Sequence, residues 1–284
     1  MPNSINLSKQ YTALVDEVYK LASVTGNLTA PDGIVRAGST SKTVVYPQIT
    51  TSGLGDYDRN TGYTDNSVSV DWVEAPYNYD RGTRISVDVM DNQETMNVAF
   101  GQAASDLIRR HAAPEGDAFV FAKLSEKAGT IASADITKTT ILDALYDGTV
   151  EMDEKEVPLE SRLLYITPTL HKMIQRLDTT VSREILNNFA GVIEVPQNRF
   201  YTSITLDKQD GFTFTKGGFK INFMIVDPKA VIKQDKHVVG DRIPAAQNPK
   251  ADADIYKYRR YSIVDVFANK HDGIYLNHMT TSVA

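Results

Sequence analysis

The sequence predicts an α+β fold, because strands and helices alternate along it without the regular βαβ units of a doubly wound sheet. Strand patterns are clear in two places. Ile85, Val87 and Val89 alternate with polar residues, and Leu163–Ile166 is a short apolar run typical of a buried strand. Helical spacing of apolar residues appears between such runs. The 284 residues are enough for one large domain or two medium ones.

The first predicted element is a helix near the N-terminus. Its apolar stripe consists of Tyr11, Leu14, Val15, Val18 and Leu21. The helix closes at Gly26 and Asn27, and Pro31 opens a turn that separates it from the following segment. We therefore expect residues 1–39 to form an N-terminal arm.

A long β-hairpin is predicted next, over residues 40–85. Val68, Val70 and Trp72 alternate with polar residues, and this pattern predicts a strand that returns along an earlier short β-type run. The connecting residues 50–66 are rich in Thr, Ser, Gly, Asp and Asn. A hairpin with such a polar tip cannot bury its own end, so we expect it to extend into solvent or to lie on another subunit.

Two helices are predicted after the hairpin. Asp91 and Glu94 have the spacing of a capping box, which opens a helix. Pro114 is expected to interrupt that helix, because proline lacks a backbone N–H and its ring clashes with the preceding turn. The apolar stripe before the proline is Met96, Phe100, Ala103 and Leu107, and the stripe after it is Phe121, Leu124 and Ala128.

The second half of the chain mixes short helices with strands. The predicted elements are a helix around residues 141–145, an acidic loop at 151–156, a helix that begins at Pro168, a helix through Val181, Ile185 and Phe189, a strand at 191–195, and strands within 212–232 and 255–275. Asp252 and Asp254 are predicted to lie in a solvated linker, because they follow an Asn-Pro dipeptide in a polar stretch. Asp272 and Gly273 have the pattern of a tight hairpin turn.

Composition excludes several classes of protein. The chain has no cysteine, which excludes disulfides, thiol nucleophiles and cysteine metal sites. No apolar run approaches the ~20 residues of a membrane-spanning helix. The first 20 residues lack a signal-peptide pattern, so we expect a cytoplasmic protein without a membrane partner. The net charge of −6 argues against a protein that binds nucleic acid by neutralising phosphates.

No sequence motif supports catalysis or metal binding. Residues 56–62 begin like an EF-hand calcium loop, but Gly62 is seventh instead of sixth and Ser67 occupies the position of the bidentate glutamate. Gly53 and Gly55 begin like a dinucleotide-binding fingerprint, but no helix follows. We therefore expect no enzyme activity, cofactor or metal. A hydrolase with a diffuse carboxylate site is the weakest alternative, because no nucleophile, base and orienting group can be named together.

A set of short segments has the order and spacing of a known family. The segments are residues 80–82, 87–91, 114–119 and 122–124 around the predicted helices, and 218–223, 227–231, 242–244, 248–249, 256–261 and 273–275 in the C-terminal third. Together they resemble the major capsid proteins of tailed bacteriophages with the Hong Kong 97 fold. The resemblance extends over nearly the whole chain and implies an arm, an extended loop, a peripheral domain with a long spine helix, and an axial domain.

The resemblance implies where these parts lie in the chain. It assigns residues 1–39 to the N-terminal arm, 40–85 to the extended loop, 86–132 to the peripheral domain with the spine helix, 133–249 to the axial domain, and 250–284 to peripheral-domain strands and the C-terminal strand. It implies that the loop tip contacts a neighbouring subunit through Leu54, Asp56, Tyr57, Arg59 and Tyr63. It also implies that four basic residues face the shell interior, namely Arg109, Arg110, Lys123 and Lys127. From the residues alone, these four also fit a solvated helix face.

The function implied by the resemblance is that of a self-assembling virion capsid. The expected partners are further copies of the chain in hexamers and pentamers, a separate scaffolding protein, a portal, and packaged double-stranded DNA bound without sequence specificity, with assembly in the bacterial cytoplasm. Some relatives form isopeptide bonds from a loop lysine to a neighbour's asparagine. This chain has no lysine between Lys42 and Lys123, so we expect noncovalent contacts. The alternative is an encapsulin-like nanocompartment, which has the same fold and encloses a cargo enzyme.

Overall fold

The computed structural model describes residues 22–28, 35–38, 40, 42–60, 62–63, 65, 67–94, 98–177, 179–207 and 211–283, with only the backbone described at residues 98–101. The apolar stripe of the predicted arm helix lies outside these residues, as do Met96 and the side chain of Phe100. In these ranges, no helix combines the length and apolar character needed to span a membrane.

Strands and helices alternate as the α+β prediction requires. The strands are β1 (Arg36–Ala37), β2 (Thr43–Thr51), β3 (Val68–Pro76), β4 (Tyr79–Asp88), β5 (Thr130–Ser133), β6 (Leu163–Ile166), β7 (Gly191–Glu194), β8 (Ile204–Leu206), β9 (Phe212–Phe214), β10 (Phe219–Val226), β11 (Val231–Ile243), β12 (Ala253–Val266) and β13 (Ile274–Ser282). The α-helices are α1 (Val89–Glu94), α2 (Val98–Asp106), α3 (Ala113–Glu126), α4 (Ile141–Glu154), α5 (Pro168–Leu177) and α6 (Thr180–Asn187).

A five-stranded mixed sheet forms the centre of one part of the molecule, in the order β5-β13-β10-β6-β7. One face buries Phe223 and Tyr275 with the apolar stripes of α4, α5 and α6. The other face buries Tyr165 and Met224 with the apolar stripe of α3. A Cβ atom at Gly148 would lie 2.9 Å from the Tyr275 ring, so a glycine is needed for α4 to pack this closely on the sheet. The sheet is therefore covered on both faces by helices.

A three-stranded antiparallel sheet, in the order β11-β12-β4, forms the other part. Tyr256 and Tyr258 of β12 pack with Ala104, Ile108 and Ala113 of the long helical segment. Lys257 and Arg259, which alternate with these tyrosines, point to the opposite face and are exposed. Farther along the same face, Ile263 is buried against the base of the hairpin. The sheet is thus covered by a helix on one face only.

The expected break at Pro114 is wrong, because the helix continues without interruption from residue 98 to residue 126. Between α2 and α3 it passes through a π-helical segment, Leu107–Ala112, in which the N–H of Ala113 donates to the carbonyl of Ile108, five residues earlier. The wider π turn changes the position of the carbonyls that the ring of Pro114 would otherwise meet. Proline is therefore accommodated in the first turn of α3.

Two other local predictions are wrong. Helix α1 begins at Val89, and its first turn is capped by Asp88, which accepts a hydrogen bond from the N–H of Met90 at 2.9 Å. Asp91 lies inside that helix, so it cannot be the first residue of a capping box. The predicted acidic loop at 151–156 is largely helical, because α4 continues to Glu154.

Two predictions in the C-terminal third also fail. Asp254 is buried in β12, where its carboxylate accepts hydrogen bonds from Arg242 Nη2 at 2.7 Å and from the N–H of Ala245 at 3.0 Å, so it is not in a solvated linker. Asp272 and Gly273 lie in a single 3₁₀ turn, and the strands before and after it belong to different sheets. The Asp-Gly pair therefore does not form a hairpin.

The strand pairing divides the late strands between the two sheets. β12 pairs with β4 and β11, whereas β13 pairs with β10 and β5. The predicted boundaries at residues 133 and 249 place β11 and β12 in different domains, although the two strands are hydrogen-bonded along their whole length. The domain boundaries themselves stay predictions.

Candidate assembly surfaces

The base of the predicted hairpin is anchored to the three-stranded sheet. β2 and β3 pair in register from Thr43 opposite Pro76 to Thr51 opposite Val68. Near the base, Tyr46 is buried against Phe267, with the two ring centroids 4.9 Å apart in an edge-to-face arrangement. Burial raises the pKa of the Tyr46 phenol, because the phenolate would lose its hydration. The base is thus part of the subunit core.

Beyond the base, one face of the hairpin is apolar and exposed. In the register, Ile49 lies opposite Val70 and Pro47 opposite Trp72, so these side chains share a face with Val68. The exposed fractions are 60% for Ile49, 65% for Val68, 50% for Val70 and 55% for Trp72. We call Pro47, Ile49, Val68, Val70 and Trp72 the apolar stripe. A contiguous exposed stripe of this kind is typical of an interaction surface.

The opposite face of the same ribbon is polar. Gln48 lies opposite Asp71 and Thr50 opposite Ser69. The sequence pattern predicted the alternation of β3 but not that the apolar side would be left uncovered. The exposed stripe is the surface that the sequence reasoning missed, since that reasoning assigned the contact to the polar tip alone.

The tip holds the five residues predicted to contact a neighbour. Leu54 is fully exposed. The other four side chains are also exposed, namely those of Asp56, Tyr57, Arg59 and Tyr63. The rings of Tyr57 and Tyr63 lie 4.9 Å apart and give the tip an aromatic cluster. These five side chains therefore lie together at the free end of the hairpin, and their role in assembly stays a prediction.

A local turn also shapes the tip. Asp58 accepts a hydrogen bond from the N–H of Asn60 at 2.6 Å and exchanges two backbone hydrogen bonds with Gly62, which has φ +83°. This is a side-chain-stabilised turn. Among the described residues, no group of three or more His, Cys, Asp or Glu side chains is arranged to hold a metal ion.

The four predicted interior-facing basic residues lie along the long helix and at its end. Arg110 Nε forms an ion pair with Asp106 at 2.7 Å, and Lys123 Nζ with Glu126 at 2.7 Å. The hydrogen bond from Lys123 lowers the pKa of Glu126. Arg109 and Lys127 are exposed. Two of the four charges are thus balanced within the helix, and the interior orientation stays a prediction.

A buried charged cluster holds residues 22–28, which belong to the predicted N-terminal arm. The carboxylate of Asp117 on α3 is completely buried and accepts hydrogen bonds from Ser23 Oγ at 2.6 Å, Thr25 Oγ1 at 2.7 Å and Arg199 Nη1 at 3.0 Å. Lys233 Nζ donates to the Thr25 carbonyl at 2.6 Å. Burial lowers the pKa of Lys233 to about 8, since the charged form loses hydration. Residues 22–28 are therefore fixed to the long helix by charge.

A second, partly buried ion pair joins β4 to the long helix. Arg81 Nε donates to Glu115 at 2.7 Å, and the Tyr79 hydroxyl donates to the same carboxylate at 3.0 Å. These groups line a cavity of about 410 Å³ together with His111 and Tyr258. Because the charged groups are bonded to one another, the arrangement is a structural link and not a nucleophile with its base.

Solved structures with this fold have low sequence identity to the chain. The asymmetric unit of the bacteriophage PhiM1 mature capsid matches with a TM-score of 0.65 at 12% identity, over 92% of this chain and 87% of that one. The capsid structure of the cyanophage P-SCSP1u matches with a TM-score of 0.64 at 15% identity, over 92% and 89%.

A third match is the crystal structure of a virus-like particle from Pyrococcus furiosus, with a TM-score of 0.58 at 11% identity, over 95% of this chain and 98% of that one. No family model matches the chain, and no curated protein matches its sequence. The chain therefore has the α+β fold of these shell structures, and the predicted Hong Kong 97-like fold is confirmed.

Proposed function

We propose that this chain is the major capsid subunit of a tailed bacteriophage, which assembles with copies of itself into an icosahedral shell of hexamers and pentamers around double-stranded DNA. The fold likeness to phage capsids supports a structural role in a shell. The observation that carries the proposal is the exposed apolar stripe on a hairpin that extends from the subunit core.

The stripe argues for a partner because a subunit alone gains nothing from it. Burying apolar surface stabilises by about 25 cal/mol per Å², so four half-exposed side chains of this size leave several kcal/mol of stabilisation unused in the monomer. A two-stranded ribbon is also marginally stable unless its face is covered. A second copy of the chain supplies the cover, and repeated head-to-tail contacts of this kind close into rings and shells.

The remaining partners follow from the same role. A separate scaffolding protein, a portal and packaged DNA are proposed, with the four basic residues of the long helix directed towards the interior. The virion is the proposed location and the bacterial cytoplasm the site of assembly. The acidic net charge of −6 is compatible with a wall that encloses DNA without binding it tightly.

The test compares two adjacent residues on opposite faces of β3. Val70→Lys introduces a charge into the apolar stripe, and Ser69→Lys introduces the same charge on the polar face. Neither side chain is buried in the subunit, so both variants should keep the wild-type melting curve by circular dichroism. We expect Val70→Lys to abolish particles in sedimentation and negative-stain microscopy, whereas Ser69→Lys assembles. Normal shells from Val70→Lys, or a wild-type protein that stays monomeric with its scaffold, would contradict the proposal.

A second candidate is an encapsulin-like compartment that encloses a cargo enzyme. The fold likeness to shell structures, the virus-like particle from Pyrococcus furiosus among them, is equally compatible with this candidate. The two candidates differ in the contents of purified particles. Nuclease-protected DNA would support the capsid, and a co-purifying enzyme would support the compartment.

A further inference from the structure

The negative charge of the chain is concentrated in one segment. Residues 141–160, which contain α4 and the turn after it, hold seven acidic residues and one basic residue. The net charge of this segment therefore equals the net charge of −6 of the whole chain, and the rest of the chain is neutral overall. The proposed function gives this concentration of charge no role.

Few of these acids are balanced within the subunit. Asp153 forms an ion pair with Arg162 at 2.7 Å, and Lys155, the one basic residue of the segment, pairs with Asp272 outside it. The other four acids of α4 are exposed, and in the described part of the chain none of them forms an ion pair within 4.0 Å. These four are Asp143, Asp147, Glu151 and Glu154.

The spacing of the four acids is unfavourable in an isolated subunit. Asp143, Asp147 and Glu151 follow one another at intervals of four residues, so like charges are neighbours on the helix surface. Glu151 and Glu154 also lie in the last turn of α4, which has no basic residue and is the negative end of the helix dipole. Solvated helix faces usually alternate the two signs of charge. Cations placed along this row would therefore stabilise the helix.

Two apolar side chains lie beside the row of acids. Tyr146 is 61% exposed and Val150 is 36% exposed, and they are one turn apart on the same side of α4. The helix cannot rotate to bury them, because Ile141, Leu145 and Met152 are buried in the core on its other side. We call the surface formed by Tyr146, Val150 and the four acids the acidic helix face.

Metal ions and nucleic acid do not fit the acidic helix face. Among the residues that the structure describes, no three or more His, Cys, Asp or Glu side chains are grouped to hold a metal ion. A metal ion would also leave Tyr146 and Val150 uncovered. The phosphates of nucleic acid would be repelled by the carboxylates. A partner that covers the whole face must present basic and apolar side chains together, which is a property of a protein surface.

We propose that the acidic helix face is the docking site for a basic amphipathic helix of a separate protein. α4 has 14 residues and is about 21 Å long, so it matches a partner helix of about four turns. The partner's apolar residues cover Tyr146 and Val150 near the middle of α4, and its lysine and arginine side chains pair with the carboxylates. A second copy of the chain fits less well, because the chain outside this segment has no net positive charge. The site does not depend on what the shell encloses.

A synthetic peptide tests the site. The probe is a fluorescein-labelled helix of about 18 residues with leucine on one side and lysine beside it, and a second peptide has glutamate in place of lysine. We expect the purified wild-type chain to bind the lysine peptide in fluorescence anisotropy and not the glutamate peptide. Asp147→Lys with Glu151→Lys should weaken binding by about tenfold or more, because two of the pairing charges are reversed. Glu184→Lys with Asp252→Lys makes the same change in charge at exposed sites elsewhere and should bind like the wild type.

Tyr146→Ala separates docking from general attraction between opposite charges. The substitution keeps every charge and removes the exposed ring, so we expect the affinity for the lysine peptide to fall by about fivefold or more. Thermal melting by circular dichroism confirms that each variant is folded. Equal affinity of Tyr146→Ala and the wild type would overturn the inference. So would a wild-type chain that does not bind the lysine peptide, or an equal loss of binding in Glu184→Lys with Asp252→Lys.

Sedimentation of the chain expressed without any other protein distinguishes a separate partner from a second copy. Tyr146→Ala should form the same oligomers as the wild type under these conditions. If the folded variant loses oligomers that the wild type forms, a second copy covers the acidic helix face and the inference is overturned. None of these failures touches the capsid proposal. A wild-type chain that forms no shell with its scaffold would contradict that proposal and leave the peptide result unchanged.

Discussion

At the scale of single residues, some charged side chains are buried at positions where the sequence pattern predicts exposed residues. Asp117, Arg199 and Lys233 converge on residues 22–25, from positions separated by up to 208 residues. Neither periodicity nor spacing relates such distant polar residues, so the cluster could not be predicted from the sequence. The same applies to Asp254, which follows a polar stretch but is buried by its bonds to Arg242 and to the backbone.

The pKa of Lys233 leads to a residue-scale prediction. Its pKa is lowered to about 8 in the folded protein and is 10.5 when unperturbed, so the unfolded state binds more protons between these values. Stability should therefore rise as the pH rises through this window. Between pH 7 and 9.5 the contribution of Lys233 to the free energy of unfolding should improve by about 2 kcal/mol.

Lys233→Met removes the titrating group while keeping an unbranched side chain of similar length. Urea denaturation of both proteins at pH 7 and 9.5 gives the difference attributable to this residue, since other groups titrate equally in both. We expect the increase in the free energy of unfolding between pH 7 and 9.5 to be smaller in the variant. An identical gain in both proteins would show that the Lys233 ammonium is not desolvated in the folded state.

At the scale of elements, the periodicity of apolar residues predicted whether a segment is a helix or a strand better than it predicted where the segment begins and ends. The alternation in β3 and the apolar run of β6 correspond to observed strands, because they match a period that packing preserves. Helix ends were missed at Asp91 and after residue 150, since the competing caps and continuing turns depend on tertiary contacts. The prediction of a helix break at Pro114 was wrong for a different reason. A π segment relieves a clash that an ordinary helix could not.

That explanation predicts how the long helix responds to a deletion. Removing Arg109, an exposed residue of the π segment, should convert the wide turn to ordinary α-helix and place the carbonyl four residues before Pro114 against its ring. The expected cost is about 3 kcal/mol, seen as a lower melting temperature. Combining the deletion with Pro114→Ala should recover most of that loss. If Pro114→Ala gives no recovery in the deleted chain, the proline does not require the π segment.

At the scale of the whole molecule, the order of short segments was enough to predict the fold. It was not enough to predict to which sheet each of the late strands belongs. β11 joins β12 and β13 joins β10, although the sequence places a single turn between β12 and β13. The pattern of apolar residues in a strand indicates which side chains are buried, but it does not indicate with which other strand it pairs. Pairing between distant strands is decided by packing. The exposed stripe shows the same limit for assembly, because alternation alone does not say whether the apolar face is covered within the subunit or by another copy.

The composition of the hairpin leads to a prediction about the assembled particle. Residues 43–122 contain no lysine, so the extended loop offers no amine that could attack a neighbour's asparagine. The shell should therefore be held by the apolar stripe and by charge pairs alone. Mature particles boiled in detergent with reductant should release one band near 31.5 kDa, the mass of the chain. Mature particles from the same preparation that are not boiled are the control, and they show that assembly was complete. A ladder of oligomers that survives boiling would show that a lysine outside the hairpin forms covalent links between subunits.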